Sequence, residues 1–125
     1  PRIRQIHLGK NRGMRGAINA GVALAKGEFI MRTDEHCMFD KGWDVKLTAT
    51  FEDDWIMTAT RYFLDPVKWE VMDLPPVNFG KLVIGGSGPK RKFSAENWKE
   101  RDEELKDVMI AETMGMQGSM WIMKK

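Results

Sequence analysis

The 125 residues carry 20 Lys and Arg against 18 Asp and Glu, a net charge of +2 with both histidines neutral, and this length holds one domain or part of one. With 42% hydrophobic and 10% aromatic residues there is material for a core, which excludes a disordered or collagen-like chain. No apolar run approaches the ~20 residues of a membrane span, the opening Pro-Arg-Ile-Arg-Gln lacks the apolar stretch of a signal peptide, and the single cysteine excludes an internal disulfide framework and a cysteine-based zinc cluster.

In chain order, the alternation of Ile3, Gln5, Ile6 and Leu8 predicts a short strand, and residues 9–13 supply a turn. Over residues 14–25 Met14, Ala17, Ile18, Gly21, Val22 and Ala25 recur at helical spacing, with Gly27 placed as the C-terminal stop. Residues 28–33 read as a buried-type strand, which completes a strand, helix, strand unit and implies a mostly parallel sheet flanked by helices. Asp40 is placed to cap a helix whose inner face carries Trp43, Leu47 and Phe51, and residues 55–63 predict a third strand. Asp65-Pro66 and Pro75-Pro76 mark irregular chain. Residues 85–92, Gly-Gly-Ser-Gly-Pro-Lys-Arg-Lys, read as a flexible loop, followed by a charged helix over 94–109 and a last strand over 118–123. A buried-type strand so near the end, and a first strand so near the start, predict an incomplete domain that lacks pieces on both sides. Its exposed sheet edges predict a homo-oligomer that covers them.

The charge is unevenly spread. Residues 1–32 hold seven basic groups against Glu28 alone, a net +6, and the other 93 residues net −4. A basic segment of this kind concentrates phosphate-bearing ligands or nucleic acid, although a solvated basic face has the same composition. Asp34-Glu35-His36 directly follows a predicted strand, and ligands collect outside the carboxyl ends of strands in parallel sheets. Asp34 and His36 alternate along extended chain, so both can face one ion. A carboxylate with an imidazole suits Mn²⁺ or another divalent cation such as Mg²⁺, with coordination positions left for phosphate oxygens and water. In isolation the same tripeptide also describes a turn capped by Asp34 with a surface histidine. Lys90, Arg91 and Lys92 could touch nucleic acid, but Phe93 is the sole aromatic among them. Cys37 reads as a small packed residue with no nucleophilic partners.

The run from Asn11 through Arg12-Gly13, the small-residue helix, Ala25-Lys26-Gly27-Glu28, the apolar strand and Asp34-Glu35-His36 resembles the nucleotide-sugar half of GT-A glycosyltransferases of family 2. The continuation Asp34-Glu-His-Cys-Met-Phe-Asp-Lys-Gly-Trp43 is similar to the polypeptide N-acetylgalactosaminyltransferases, where Asp-x-His replaces Asp-x-Asp. Met116-Gln-Gly-Ser-Met-Trp-Ile122 is similar to the strand beside the donor sugar. The resemblance implies a partial GT-A, Rossmann-like α/β domain over residues 1–125. Residues 1–54 would be the nucleotide and metal part, and 55–125 the sugar and acceptor side with its loop at 85–93. It further implies metal-dependent transfer from a UDP-sugar, with Asp34 and His36 holding Mn²⁺ or Mg²⁺. Glu35 would lie beside the ribose or diphosphate, Asn11 would contact the nucleotide, Arg12 and Arg15 would add positive potential at the diphosphate, and Gln117 and Gly118 would sit near the sugar. The resemblance assigns no catalytic base: neither His7 nor Glu112 is singled out by its local pattern. The alternative reading is a non-catalytic interaction or nucleic-acid-binding module on the same scaffold, although a nucleic-acid partner is disfavoured. The absence of an apolar leader predicts a cytoplasmic protein.

Overall fold

The computed structural model describes residues 3–115 and 118–125. Helix α1 spans Gly13–Leu24, strand β1 Phe29–Thr33, helix α2 Trp43–Thr48 and strand β2 Ile56–Met57. Strand β3 (Gly80–Gly85), a 3₁₀ turn (Gly88–Lys90), strand β4 (Lys92–Asn97), helix α3 (Lys99–Glu104) and strand β5 (Met120–Lys124) follow.

Two separate sheets result, one in the order β1-β5-β2 and the other the hairpin β3-β4, and every ladder among the described residues is antiparallel. The mostly parallel sheet expected from the sequence is therefore replaced. Residues 3–8, which would have supplied the parallel neighbour of β1, form no ladder, and the C-terminal β5 occupies the centre of the sheet instead. The register sets Phe29 opposite Lys124 and Thr33 opposite Met120, and β2 sets Ile56 opposite Met123. Among the described residues the buried apolar side chains are Phe79, Met120 and Ile122, two of them on β5.

The predicted helix over 14–25 corresponds to α1, but Gly27 is not its stop. Ala25 turns extended (φ −66°, ψ 137°) while its N–H still donates to the Gly21 and Val22 carbonyls. Gly27 instead serves the turn into β1, where a Cβ would lie 3.2 Å from the Phe29 carbonyl oxygen. The predicted helix ends at Thr48, so Trp43 and Leu47 lie on α2 and Phe51 follows it; all three are partly shielded, Phe39 packs on Trp43 and Phe29 meets Phe51 edge-on at 5.2 Å. Asp40 is displaced from the cap, since Gly42 in the left-handed conformation precedes Trp43, and the Asp40 carboxylate accepts from the Lys41 N–H and from Lys46.

The predicted strand over 55–63 shortens to two residues, because beyond Met57 the chain leaves β5 and makes isolated pairings, Arg61 with Val77 and Leu64 with Val71. The largest difference lies at 80–104. Residues 85–92, expected as an open loop, and 94–97, expected as the first turn of a long helix, join the unassigned residues 80–84 in the β3–β4 hairpin, and α3 keeps only six residues. Six cross-strand pairs from Gly80–Asn97 to Gly85–Lys92 satisfy backbone groups that a loop would leave to water. The pairing also outweighs the helical periodicity of 94–97.

Candidate functional site

The carboxyl end of β1 delivers Asp34 to the entry of β5. The Asp34 N–H donates to the Ser119 carbonyl at 2.9 Å, which extends the antiparallel ladder past Thr33 and Met120. Two motifs 84 residues apart by sequence number, Asp34 and Gly118, thereby meet at one sheet end. Cys37 lies over the same carbonyl, its Sγ 3.9 Å from the Ser119 oxygen. Part-shielded and close to a peptide, this thiol is placed as a packing group, as its sequence context suggested.

Arg32 belongs to this junction, although sequence reasoning counted it only as part of the basic segment. Its Nη2 donates to the Asp34 Oδ1 at 2.8 Å, with both side chains about a quarter exposed. A Cβ at Gly118 would stand 3.4 Å from the Arg32 Nη1. The signal was present in the alternation of extended chain, which puts Arg32 and Asp34 on one side; the chain turns at Glu35 and His36, so the alternation expected to bring His36 beside Asp34 stops short of it. Glu35 and His36 project into solvent, with His36 Nδ1 3.7 Å from Glu35 Oε1. The Glu35 carboxyl is held below the usual carboxylate range, first by its own backbone N–H and then by the charge of His36. Among the described residues no group of three His, Cys, Asp or Glu side chains converges as a metal cage.

Asn11, Arg12 and Arg15 stand elsewhere, at the entry of α1. The Asn11 Oδ1 accepts from the Gly13 N–H at 2.7 Å while Gly13 adopts φ +68°. The Asn-x-Gly sequence thus has a local cause: the side chain closes the turn that glycine alone adopts without strain. Arg12 lines a cavity of about 490 Å³ with Leu8, Gly9, Lys10, Gly16 and Ala20. Gly16 is required by proximity, since a Cβ there would come within 2.6 Å of the Arg12 Cβ. Arg15 is exposed, and no hydrogen bond or ion pair among the described residues joins these three side chains to the Asp34 junction. Gln117 lies outside the described residues.

A second cavity of about 780 Å³ runs along β2 and residues 105–113. Its lining includes Asp54, Trp55, Tyr62, Asn78 and Glu112, and the Asn78 Oδ1 is buried with no hydrogen-bond partner among the described residues. His7 is exposed on the extended N-terminal segment. Compared with known families, the chain matches the family described as glycosyl transferase family 2 over residues 1–125. No curated protein and no solved structure matches it.

Proposed function

Since the chain belongs to glycosyl transferase family 2, whose α/β nucleotide-diphospho-sugar transferase fold serves sugar transfer from a nucleotide sugar to an acceptor, we propose that it acts on a UDP-sugar with a divalent cation, Mn²⁺ or Mg²⁺, at the Asp34 junction. One observation carries this reading: the Asp34 N–H bond to the Ser119 carbonyl, which unites the acidic motif with the Gly118 segment.

The residues present fit a cation in their donor chemistry. Asp34 offers a carboxylate whose Oδ2 has no hydrogen-bond partner among the described residues, and the exposed His36 offers an imidazole two positions on. Two protein ligands leave room for diphosphate oxygens. When bound, such a cation neutralises the charge that builds on a departing nucleoside diphosphate.

The chain's own residues divide the remaining work. Arg32 orients the Asp34 carboxylate through its guanidinium and adds a positive charge where a diphosphate would lie. Glu35, beside His36, is the acceptor for a ribose hydroxyl. Asn11, Arg12 and Arg15 form the nucleotide-facing basic edge, with Asn11 holding the turn and Arg12 standing at the cavity. Gly118, without a side chain, permits close approach of a sugar, and Gln117 beside it is assigned the same role. Residues 1–54 supply the nucleotide and cation side, and 55–125 the sugar and acceptor side. The two parts share one sheet, because β5 lies between β1 and β2.

Isothermal titration with Mn²⁺ and UDP tests the assignment. Wild-type protein should give saturable heat, and Asp34→Ala and His36→Ala should each weaken it. Heat unaffected by both substitutions overturns the site.

A further inference from the structure

The β3–β4 hairpin is inside out. In a two-stranded ribbon lying on a protein, apolar side chains ordinarily face inward and polar ones outward. Here Lys81, Val83 and Ser94 occupy the partly shielded face, where Lys81 Nζ meets Glu100 Oε2 at 3.6 Å. Leu82, Ile84, Phe93 and Ala95 occupy the face turned to solvent. Exposure rises toward the turn, from 51% at Leu82 to 64% at Ile84 and 74% at Phe93, and Ile84 and Phe93 are directly cross-strand.

Charge points to what covers this face. Residues 80–95 contain Lys81, Lys90, Arg91 and Lys92 and no Asp or Glu. The three cations at the turn are exposed, and none of them forms an ion pair among the described residues. A protein partner bound there would need acidic groups set around an apolar centre. An anionic bilayer supplies both at once, with headgroup charge outside and hydrocarbon immediately beneath. The turn is closed by Gly86 (φ +77°) and Gly88 (φ +53°) and by the Lys90 and Arg91 N–H groups, which donate to the Ser87 and Gly88 carbonyls.

We propose that the β3–β4 hairpin is a peripheral membrane anchor, inserting Ile84 and Phe93 into the interface of an anionic bilayer while Lys90, Arg91 and Lys92 contact lipid phosphates. This is an interfacial contact by a hairpin tip and not a span, and no helix among the described residues is long and apolar enough to cross a membrane. It is independent of the cation and nucleotide assignment.

Co-sedimentation with vesicles of phosphatidylcholine alone, and of phosphatidylcholine with about one third phosphatidylglycerol, tests it. Each cation near an anionic surface strengthens binding about fivefold, so the three turn cations together give on the order of a hundredfold preference for the anionic vesicles. Ile84→Glu with Phe93→Glu should abolish sedimentation, and Lys90→Glu with Lys92→Glu should remove the lipid preference. Ionic strength of about 1 M should weaken wild-type binding. Far-ultraviolet circular dichroism and a cooperative thermal melt check that each variant stays folded. Absence of wild-type sedimentation with anionic vesicles overturns the proposal. So does binding unchanged by the Ile84 and Phe93 substitutions, or light scattering that shows the same face joining two copies of the chain in place of lipid.

Discussion

At the scale of single residues, the Arg32–Asp34 pair governs the site. A guanidinium that holds one carboxylate oxygen at 2.8 Å competes with a cation for that oxygen and repels the cation by its own charge. Arg32→Ala should therefore tighten binding of Mn²⁺ alone by about threefold to tenfold and weaken UDP in the presence of Mn²⁺, both read by titration calorimetry. Partly exposed pairs of this kind contribute about 0.5–1 kcal/mol, so urea unfolding should show only that much loss. Unchanged Mn²⁺ affinity would show that Arg32 does not compete. A second residue-scale prediction concerns Asp40. Its carboxyl is held below the usual range, first by the hydrogen bond from Lys46 and then by the Lys41 N–H. A depressed carboxyl stabilises the fold above its ordinary pKa, and that contribution is lost as pH falls through the lower folded value. Carbon-detected titration should place the Asp40 midpoint below that of a free aspartate, and Lys46→Met should move it upward. Much of this scale was legible in the sequence. Period two predicted that Asp34 and His36 share a side; the chain instead turns at Glu35 and His36, and period two holds only one step earlier, where it marks Arg32 beside Asp34. The tie from Asp34 to Ser119 was legible only through the family resemblance, because no local pattern encodes a contact across that sequence distance.

At the scale of elements, the sequence was read well where periodicity was long and poorly where glycine and charge dominated. Twelve residues of small and apolar repeats announce α1, and the spacing of Trp43 and Leu47 announces the covered face of α2, which ends before Phe51. The glycines of 85–88 were read as freedom, yet two of them fix a turn. A Cβ at Gly86 would stand 2.4 Å from the Lys90 carbonyl oxygen, and the left-handed φ adds strain; Gly88 has a left-handed φ with open space around it. Gly86→Ala should cost about 2–3 kcal/mol of hairpin stability and Gly88→Ala about 1 kcal/mol, an order read by hydrogen exchange of the Val83 and Ser94 amides, which face each other across the ladder. Equal effects would contradict the turn geometry. The charged run 94–109 was read as helix on its stripe of Trp98, Leu105, Val108 and Met109. Cross-strand pairing claims residues up to Asn97, and the Trp98 N–H donates to the Phe79 carbonyl at 3.0 Å. Propensity is a weak prior against an antiparallel ladder of six residue pairs, alternate ones hydrogen-bonded.

At the scale of the whole molecule, the two sheets have different duties, and this separates their thermodynamics. The three-stranded sheet owes its cohesion to β5, where Met120 and Ile122 are buried and Ser119 meets Asp34. The hairpin shares no ladder with it. Of the 10 Met and 5 Trp residues, Met120, Trp121 and Met123 fall on this central strand, Met120 buried and the other two half-buried. Ile122, only 3% exposed, is the most buried apolar side chain among the described residues. Ile122→Ala should cost about 2–4 kcal/mol by cavity formation. It should also loosen Mn²⁺ and UDP binding, because Ile122 holds the strand that presents Ser119 to Asp34. Ligand binding should work in the opposite sense. Anything bound to the folded state alone stabilises it by mass action, about 2.7 kcal/mol at a hundredfold excess over the dissociation constant. With Mn²⁺ and UDP at that excess, the amides of β1 and β5 should exchange more slowly by a comparable free energy, and Asp34→Ala should abolish the effect. The amides of β3 and β4 should gain far less, because their ladder closes on itself and their apolar face lies open. Protection spread evenly over both sheets would mean that they unfold as one unit and that the site draws its stability from the entire chain.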